Sequence, residues 1–142
     1  MLLLTNEPID LAALIAAVGD DAHGAICTFS GTTRETSPGD PRPVAALDYE
    51  AYAEMALADF RAIAEEARTR FGPLKIAIVH RTGSVPLGEV SVAVAVGTPH
   101  RAASFDACEF AIDTLKARSP IWKRERYRDG GTAWIANAEA GA

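Results

Sequence analysis

Lys116 and Lys123 stand on either side of a forced break in the backbone, within the stretch Thr114-Leu-Lys-Ala-Arg-Ser-Pro-Ile-Trp-Lys-Arg-Glu-Arg-Tyr-Arg128. Ser119 precedes Pro120, and a proline ring pushes the residue before it out of the α region, so a helix entering this stretch is expected to stop near Arg118. The two ammonium groups can then converge on one pocket. There they could clamp an anion, exchange a proton if a pKa is lowered, or attack a carbonyl. Mutual repulsion would help to lower either pKa. The stretch is also a charge anomaly. The chain carries −5 overall, whereas Lys116 to Arg128 holds six basic residues and one Glu, which leaves −10 for the remainder. Such a reversal points to an anionic ligand. The competing reading is a basic helix end that complements the macrodipole, followed by a solvated strand.

Other residues could join such a site. His100 and Arg101 fall in the first turn of an expected helix, where free amide N–H groups and the positive dipole end favour phosphate or carboxylate; they could equally be surface residues that follow a cap. Arg34 lies in a polar loop after Phe29-Ser30-Gly31, a place where arginines are usually solvated. Trp122 reads as core rather than pocket wall, and Glu125 could pair with Lys123 or Arg124. His23, His80, Cys27 and Cys108 show no metal-ligand spacing, so no metal or cofactor is expected, and the two cysteines read as buried free thiols.

The elements that must position these residues follow from periodicity. With 142 residues and 49% hydrophobic content, a single domain over 1–142 is expected. The acidic balance argues against a nucleic-acid binder. The opening Met-Leu-Leu-Leu-Thr is too short for a signal sequence, and no apolar run reaches membrane length, so a cytoplasmic protein without membrane contact is expected. Ile9 to Val18 reads as a short helix, Ile26 to Phe29 as a strand, and Gly31 to Pro43 as a long irregular loop. Val44 to Tyr52 alternates, with Leu47, Tyr49 and Ala51 on one face. Glu54 to Phe71 is an amphipathic helix that Gly72-Pro73 ends. Strands are expected over Lys75 to His80 and Val90 to Val96, with a turn over Gly83 to Gly88. Thr98-Pro99 would cap a third helix with Phe105, Cys108, Ile112 and Leu115 on one face, and a last strand covers Ala133 to Ala136. The order α-β-β-α-β-β-α-β, with no regular βαβ repeat, places the chain in the α+β class.

Five stretches together resemble the MoaE family, the large catalytic subunit of molybdopterin synthase. They are Gly24-Ala-Ile-Cys-Thr-Phe-Ser-Gly31 with Arg34, Leu47-Asp-Tyr-Glu-Ala-Tyr52, Val79-His-Arg-Thr-Gly83, Pro99-His-Arg101 through Phe105, and Lys116-Ala-Arg-Ser-Pro-Ile-Trp-Lys-Arg-Glu125. The resemblance spans roughly Gly24 to Asn137. It implies a hammerhead-type α/β fold with a mixed, largely antiparallel sheet and three helices, in a homodimer that carries a small ubiquitin-like sulfur-carrier subunit at each end, a heterotetramer. The family's reaction moves sulfur from the thiocarboxylated C-terminal glycine of that carrier, which ends Gly-Gly, to cyclic pyranopterin monophosphate. Two sulfurs build the dithiolene of molybdopterin.

Carried over residue by residue, the resemblance implies that Lys116 is the catalytic lysine beside the glycine tail and Lys123 a second lysine of the same pocket. It implies that Arg34, His100 and Arg101 bind the substrate's anionic groups and that Arg124 and Glu125 line the pocket. Thr32 stands where family members often carry a basic residue, and Ala133 where a charged one can occur. The chain ends Glu-Ala-Gly-Ala rather than Gly-Gly, so a separate carrier is expected. Arg101 and Lys116 are fifteen residues apart on one expected helix, about 22 Å at 1.5 Å per residue. If both serve one site, His100 and Arg101 must come from the other protomer. Two other readings use the same cations without chemistry: a module that binds a phosphorylated metabolite, or one that captures a partner's C-terminal tail.

Overall fold

The computed structural model describes residues 1–136; the terminal Glu-Ala-Gly-Ala and Asn137 lie outside the described residues. Eleven elements follow one another: β1 (Leu2–Thr5), α1 (Leu11–Val18), β2 (Ala25–Thr32), β3 (Val44–Ala51), α2 (Ala53–Phe71), β4 (Lys75–Arg81), β5 (Gly83–Pro86), β6 (Val90–Thr98), α3 (Arg101–Arg118), β7 (Ile121–Tyr127) and β8 (Thr132–Ile135). The class is α+β, with the three helices and the mixed, largely antiparallel pairing expected. The strands divide between two four-stranded sheets, ordered β1-β4-β6-β2 and β5-β3-β7-β8. Among the described residues, only β1 and β4 pair in parallel.

The first sheet is covered on both faces, which explains its unbroken apolar strands. Leu14 and Val18 of α1 pack on Ala77, Val79, Ala93 and Ala95. The small alanines let α1 approach closely, and a Cβ on Gly97 would run into the Val18 carbonyl oxygen. On the other face Ile76, Ile78, Val92, Val94 and Val96 join Phe60 and Ile63 of α2 and Ala107, Cys108, Ala111 and Leu115 of α3 in the main core. In α2 the expected face is the buried one, from Ala56 and Phe60 to Ala67, with Phe71 half-buried.

Several expectations are corrected. Leu2–Thr5 is a strand, β1, that pairs with β4, a partner more than seventy residues away in sequence. Gly83–Pro86 is not a turn: it forms β5 on β3, and as an edge strand it tolerates Pro86. Ile121–Tyr127 is a full strand between β3 and β8. The third helix begins at Arg101 with His100 as N-cap, whereas Thr98 ends β6 and its Oγ1 donates to the His100 carbonyl at 2.7 Å. Phe105 is 61% exposed, because the buried stripe of α3 runs through Ser104, Ala107, Cys108, Ala111, Ile112 and Leu115 and Phe105 lies beside it. Trp122 is exposed rather than core. Cys108 is buried and free, and Cys27 is free but only partly buried, on the edge strand β2.

Candidate functional site

The break at Ser119-Pro120 is built as its sequence dictates. α3 ends at Arg118, Ser119 takes extended dihedrals as C-cap and donates its N–H to the Leu115 carbonyl, and β7 begins at Ile121. Along β7 the side chains then alternate. Lys123, Glu125 and Tyr127 turn to one side; Trp122, Arg124 and Arg126 turn to the other. Lys116, from the last turn of α3, faces the same cleft as Lys123.

That alternation sorts the cations of the basic stretch. Arg118 pairs with Asp59 at 2.6 Å and with Glu66 at 3.1 Å. Arg124 and Arg126 share Asp48, at 3.2 and 2.9 Å, and Arg128 pairs with Glu35 at 2.7 Å. Among the described residues, neither Lys116 nor Lys123 has a carboxylate within salt-bridge distance. The four arginines are therefore neutralised by local acids, while the two lysines present uncompensated charge to the cleft. Lys116 is reached by solvent through the cleft mouth, yet the surrounding walls desolvate it, and this, ahead of the charge on Lys123, lowers its pKa.

The cleft has a volume of about 200 Å³. Gly31, Thr32 and Ser91 contribute from the strands of the first sheet, Leu47, Tyr49, Glu125 and Ile135 from the second, and Arg34, Thr36, Ser37 and Pro38 from the loop between β2 and β3. Beneath it lies a buried aromatic pair: His80 meets the Tyr49 ring edge-on, with centroids 4.9 Å apart. His80 is 1% exposed, and burial, reinforced by the charge of Lys116, brings its pKa down to about 4, so it is neutral at physiological pH. Burial also raises the Tyr49 phenol. The aromatic pair under the lysines thus carries no charge at neutral pH.

The long loop is pinned to β7. Ser37 Oγ donates to Glu125 Oε1 at 2.8 Å, Tyr127 OH donates to the same oxygen at 3.0 Å, and the Arg42 guanidinium stacks 3.8 Å over the Tyr127 ring. Arg34 Nε donates to the Thr36 carbonyl, which leaves the rest of its guanidinium for the cleft. Glu125, 6% exposed, pairs with neither Lys123 nor Arg124; it holds the loop that carries Arg34. Ser37→Ala removes one of the two donors, worth about 1 kcal/mol. Amides of residues 34–40 are then expected to exchange with solvent about fivefold faster, read by hydrogen-exchange mass spectrometry.

The structure therefore brings Arg34, Lys116, Lys123 and Glu125 together. It does not bring Arg124, which alternation turns to the opposite face of the sheet, against Asp48 and 5.6 Å over the Trp134 ring. Nor does it bring His100 and Arg101, which stand exposed at the far end of α3. Thr32 lines the cleft, and Ala133, opposite Glu125, packs against the core. Tyr49, His80, Ser37 and Ser91 were not singled out as site residues; the alternation of β3 shows Tyr49 to be buried, but no local signal places it beneath a lysine some seventy residues further along the chain.

Known proteins resemble this chain in sequence and in fold. The family described as MoaE protein matches residues 4–118. The molybdopterin synthase catalytic subunit of Nostoc sp. is 41% identical over 134 residues, covering 94% of this chain and 80% of the relative. The crystal structure of molybdopterin synthase from Staphylococcus aureus superimposes with a TM-score of 0.88 at 32% identity, covering 94% of this chain and 95% of that one. A protein–protein complex of subunits 1 and 2 of molybdopterin-converting factor from Helicobacter pylori has the same fold at 20% identity, with a TM-score of 0.76 over 94% of this chain and 89% of that one. The chain belongs to the MoaE family, the catalytic subunits of molybdopterin synthase.

Proposed function

We propose that the Lys116–Lys123 cleft is where sulfur passes from the thiocarboxylated C-terminal glycine of a small ubiquitin-like carrier to cyclic pyranopterin monophosphate, which makes this chain a sulfurtransferase. The observation that carries the reading is the sorting of charge: of six cations in one stretch, the two that lack a carboxylate partner among the described residues are the two that face the cleft. A thiocarboxylate, a cyclic phosphate and a developing oxyanion all call for such fixed cations in a partly desolvated site. Lys116, with its lowered pKa, is the proton-transfer residue beside the tail. Lys123 and Arg34 are the electrostatic clamp, and Glu125 positions the Arg34 loop. The Helicobacter complex pairs a protein of this fold with a second subunit, which agrees with a carrier docking here. No helix among the described residues is long and apolar enough to cross a membrane, in keeping with a cytoplasmic synthase.

The site is completed in a homodimer. A cleft of about 200 Å³ is below the usual 300–1,000 Å³ of small-molecule sites. His100 and Arg101, at an anion-favouring helix start, cannot reach it along their own helix. Phe105 lies exposed four positions along the helix from Arg101, and the edge strand β2 carries exposed apolar side chains on both of its faces, Ile26 on one and Phe29 on the other. A second copy covering this apolar surface would deliver its own His100 and Arg101 to the cleft. The test is incubation with a thiocarboxylated carrier and cyclic pyranopterin monophosphate, followed by mass spectrometry. A dithiolene product is expected. Binding of both ligands without product, from a carrier that serves another synthase, would favour the non-catalytic readings.

A further inference from the structure

α2 reaches across to the break between the two lysines. Asp59, largely buried on that helix, accepts from Arg118 Nε at 2.6 Å with one carboxylate oxygen and from Ser119 Oγ, in a short hydrogen bond, with the other. The Tyr52 N–H, at the start of the same helix, donates to the Pro120 carbonyl at 3.0 Å. Three consecutive residues between Lys116 and Lys123 are thus held from one outside element. The helices need no such tie to stay packed, because Phe60, Ile63 and Ala67 of α2 already share a core with Ala107, Ala111 and Leu115 of α3. An ion pair with a partly exposed arginine adds little to that packing. What the contact supplies is location: Pro120 sets where α3 stops, and the grip from α2 sets the direction in which β7 leaves.

We propose that Asp59 is a positioning residue for the sulfur-transfer reaction, fixing the spacing and orientation of Lys116 and Lys123 through its two-oxygen grip on Arg118 and Ser119. The proposal rests on the lysine cleft being the active site. Around Lys116 the relevant groups are Lys123 and Glu125 on β7, Tyr49 on β3, His80 on β4 and Arg34 on the loop; Asp59 acts from behind the turn. Its removal has two separable effects of opposite sign. Loss of a negative charge alone would favour the neutral form of Lys116. A relaxed turn, by contrast, moves Lys116 away from Lys123 and into water, which favours the charged form.

The test uses Asp59→Asn and Asp59→Ala, with Ser119→Ala as a milder variant that removes only the hydroxyl. The chain has three lysines, at 75, 116 and 123. Competitive acetylation across pH, read by mass spectrometry, gives a midpoint for each without any need for turnover. The expected result is a Lys116 midpoint that shifts upward, toward that of Lys75, with kcat about tenfold lower and KM within twofold, the size of effect that small misplacement produces. Asp59→Glu should recover part of both. An unchanged or lowered Lys116 midpoint in folded variants overturns the proposal. If Lys116→Ala proved fully active, the functional reading would fail instead, and the acetylation midpoints would still decide whether Asp59 sets the lysine pair.

Discussion

Lys116→Ala is expected to lower dithiolene formation by about 10²- to 10⁴-fold, the usual worth of a positioned proton-transfer group, while leaving the fold intact. The second half of this expectation follows from the surroundings. Lys116 sits in the last turn of α3 with no carboxylate partner among the described residues, so its removal strands no buried acid, relieves repulsion with Lys123 and places a strong helix former in a helix. Thermal unfolding should therefore change little. Lys116→Arg separates two roles, because a guanidinium keeps the charge but does not release a proton at any accessible pH. A proton-transfer lysine predicts that Lys116→Arg is nearly as impaired as Lys116→Ala, whereas an Arg variant with most of the activity would reduce Lys116 to a clamp. The pH dependence follows in sign. Desolvation and Lys123 lower the Lys116 pKa, so its neutral amine is populated at lower pH than that of an ordinary lysine. A step that needs that amine speeds up as pH rises through the lowered pKa.

Mixed dimers are expected to recover activity that neither parent shows. Arg101→Ala and Lys116→Ala should each be nearly inactive as homodimers, the first for want of substrate anchoring and the second for want of the proton-transfer group. Subunits denatured and refolded together at equal ratio give half mixed dimers, each with one intact composite site, so roughly a quarter of wild-type activity should return. The physical reason is α3 itself: it spans Arg101–Arg118, and a rigid helix holds Arg101 about 22 Å from Lys116. A pair of variants that stay inactive after mixing, while sedimenting as dimers, would place the whole site in one protomer and remove His100 and Arg101 from it.

Much of the frame was legible because its signals are local. The valines of β6, the apolar stripe of α2 and the Ser-Pro break depend on residues within a few positions of one another. The strands that periodicity does not reveal, β1, β5 and β7, are stabilised by partners far away in sequence, β4 for β1 and β3 for β5 and β7, and the first two are only four residues long, so their own residues carry little signal. Phe105 was misplaced for a related reason: an aromatic residue near an apolar stripe looks internal, and only the crossing of α3 over the sheet decides which hundred degrees of the helix is covered.

The basic stretch itself had two readings, a pocket or a solvated strand, and the structure contains both. The amino-acid order alone determined that Lys116 and Lys123 flank a break in the backbone. Which charges remain uncompensated was decided only in three dimensions. Asp48, Asp59 and Glu66 arrive from fifty to nearly eighty positions away and Glu35 from still further, to neutralise the arginines on one side. Ion pairing acts over a few ångströms, and proximity on that scale between distant parts of a chain is a property of the folded molecule.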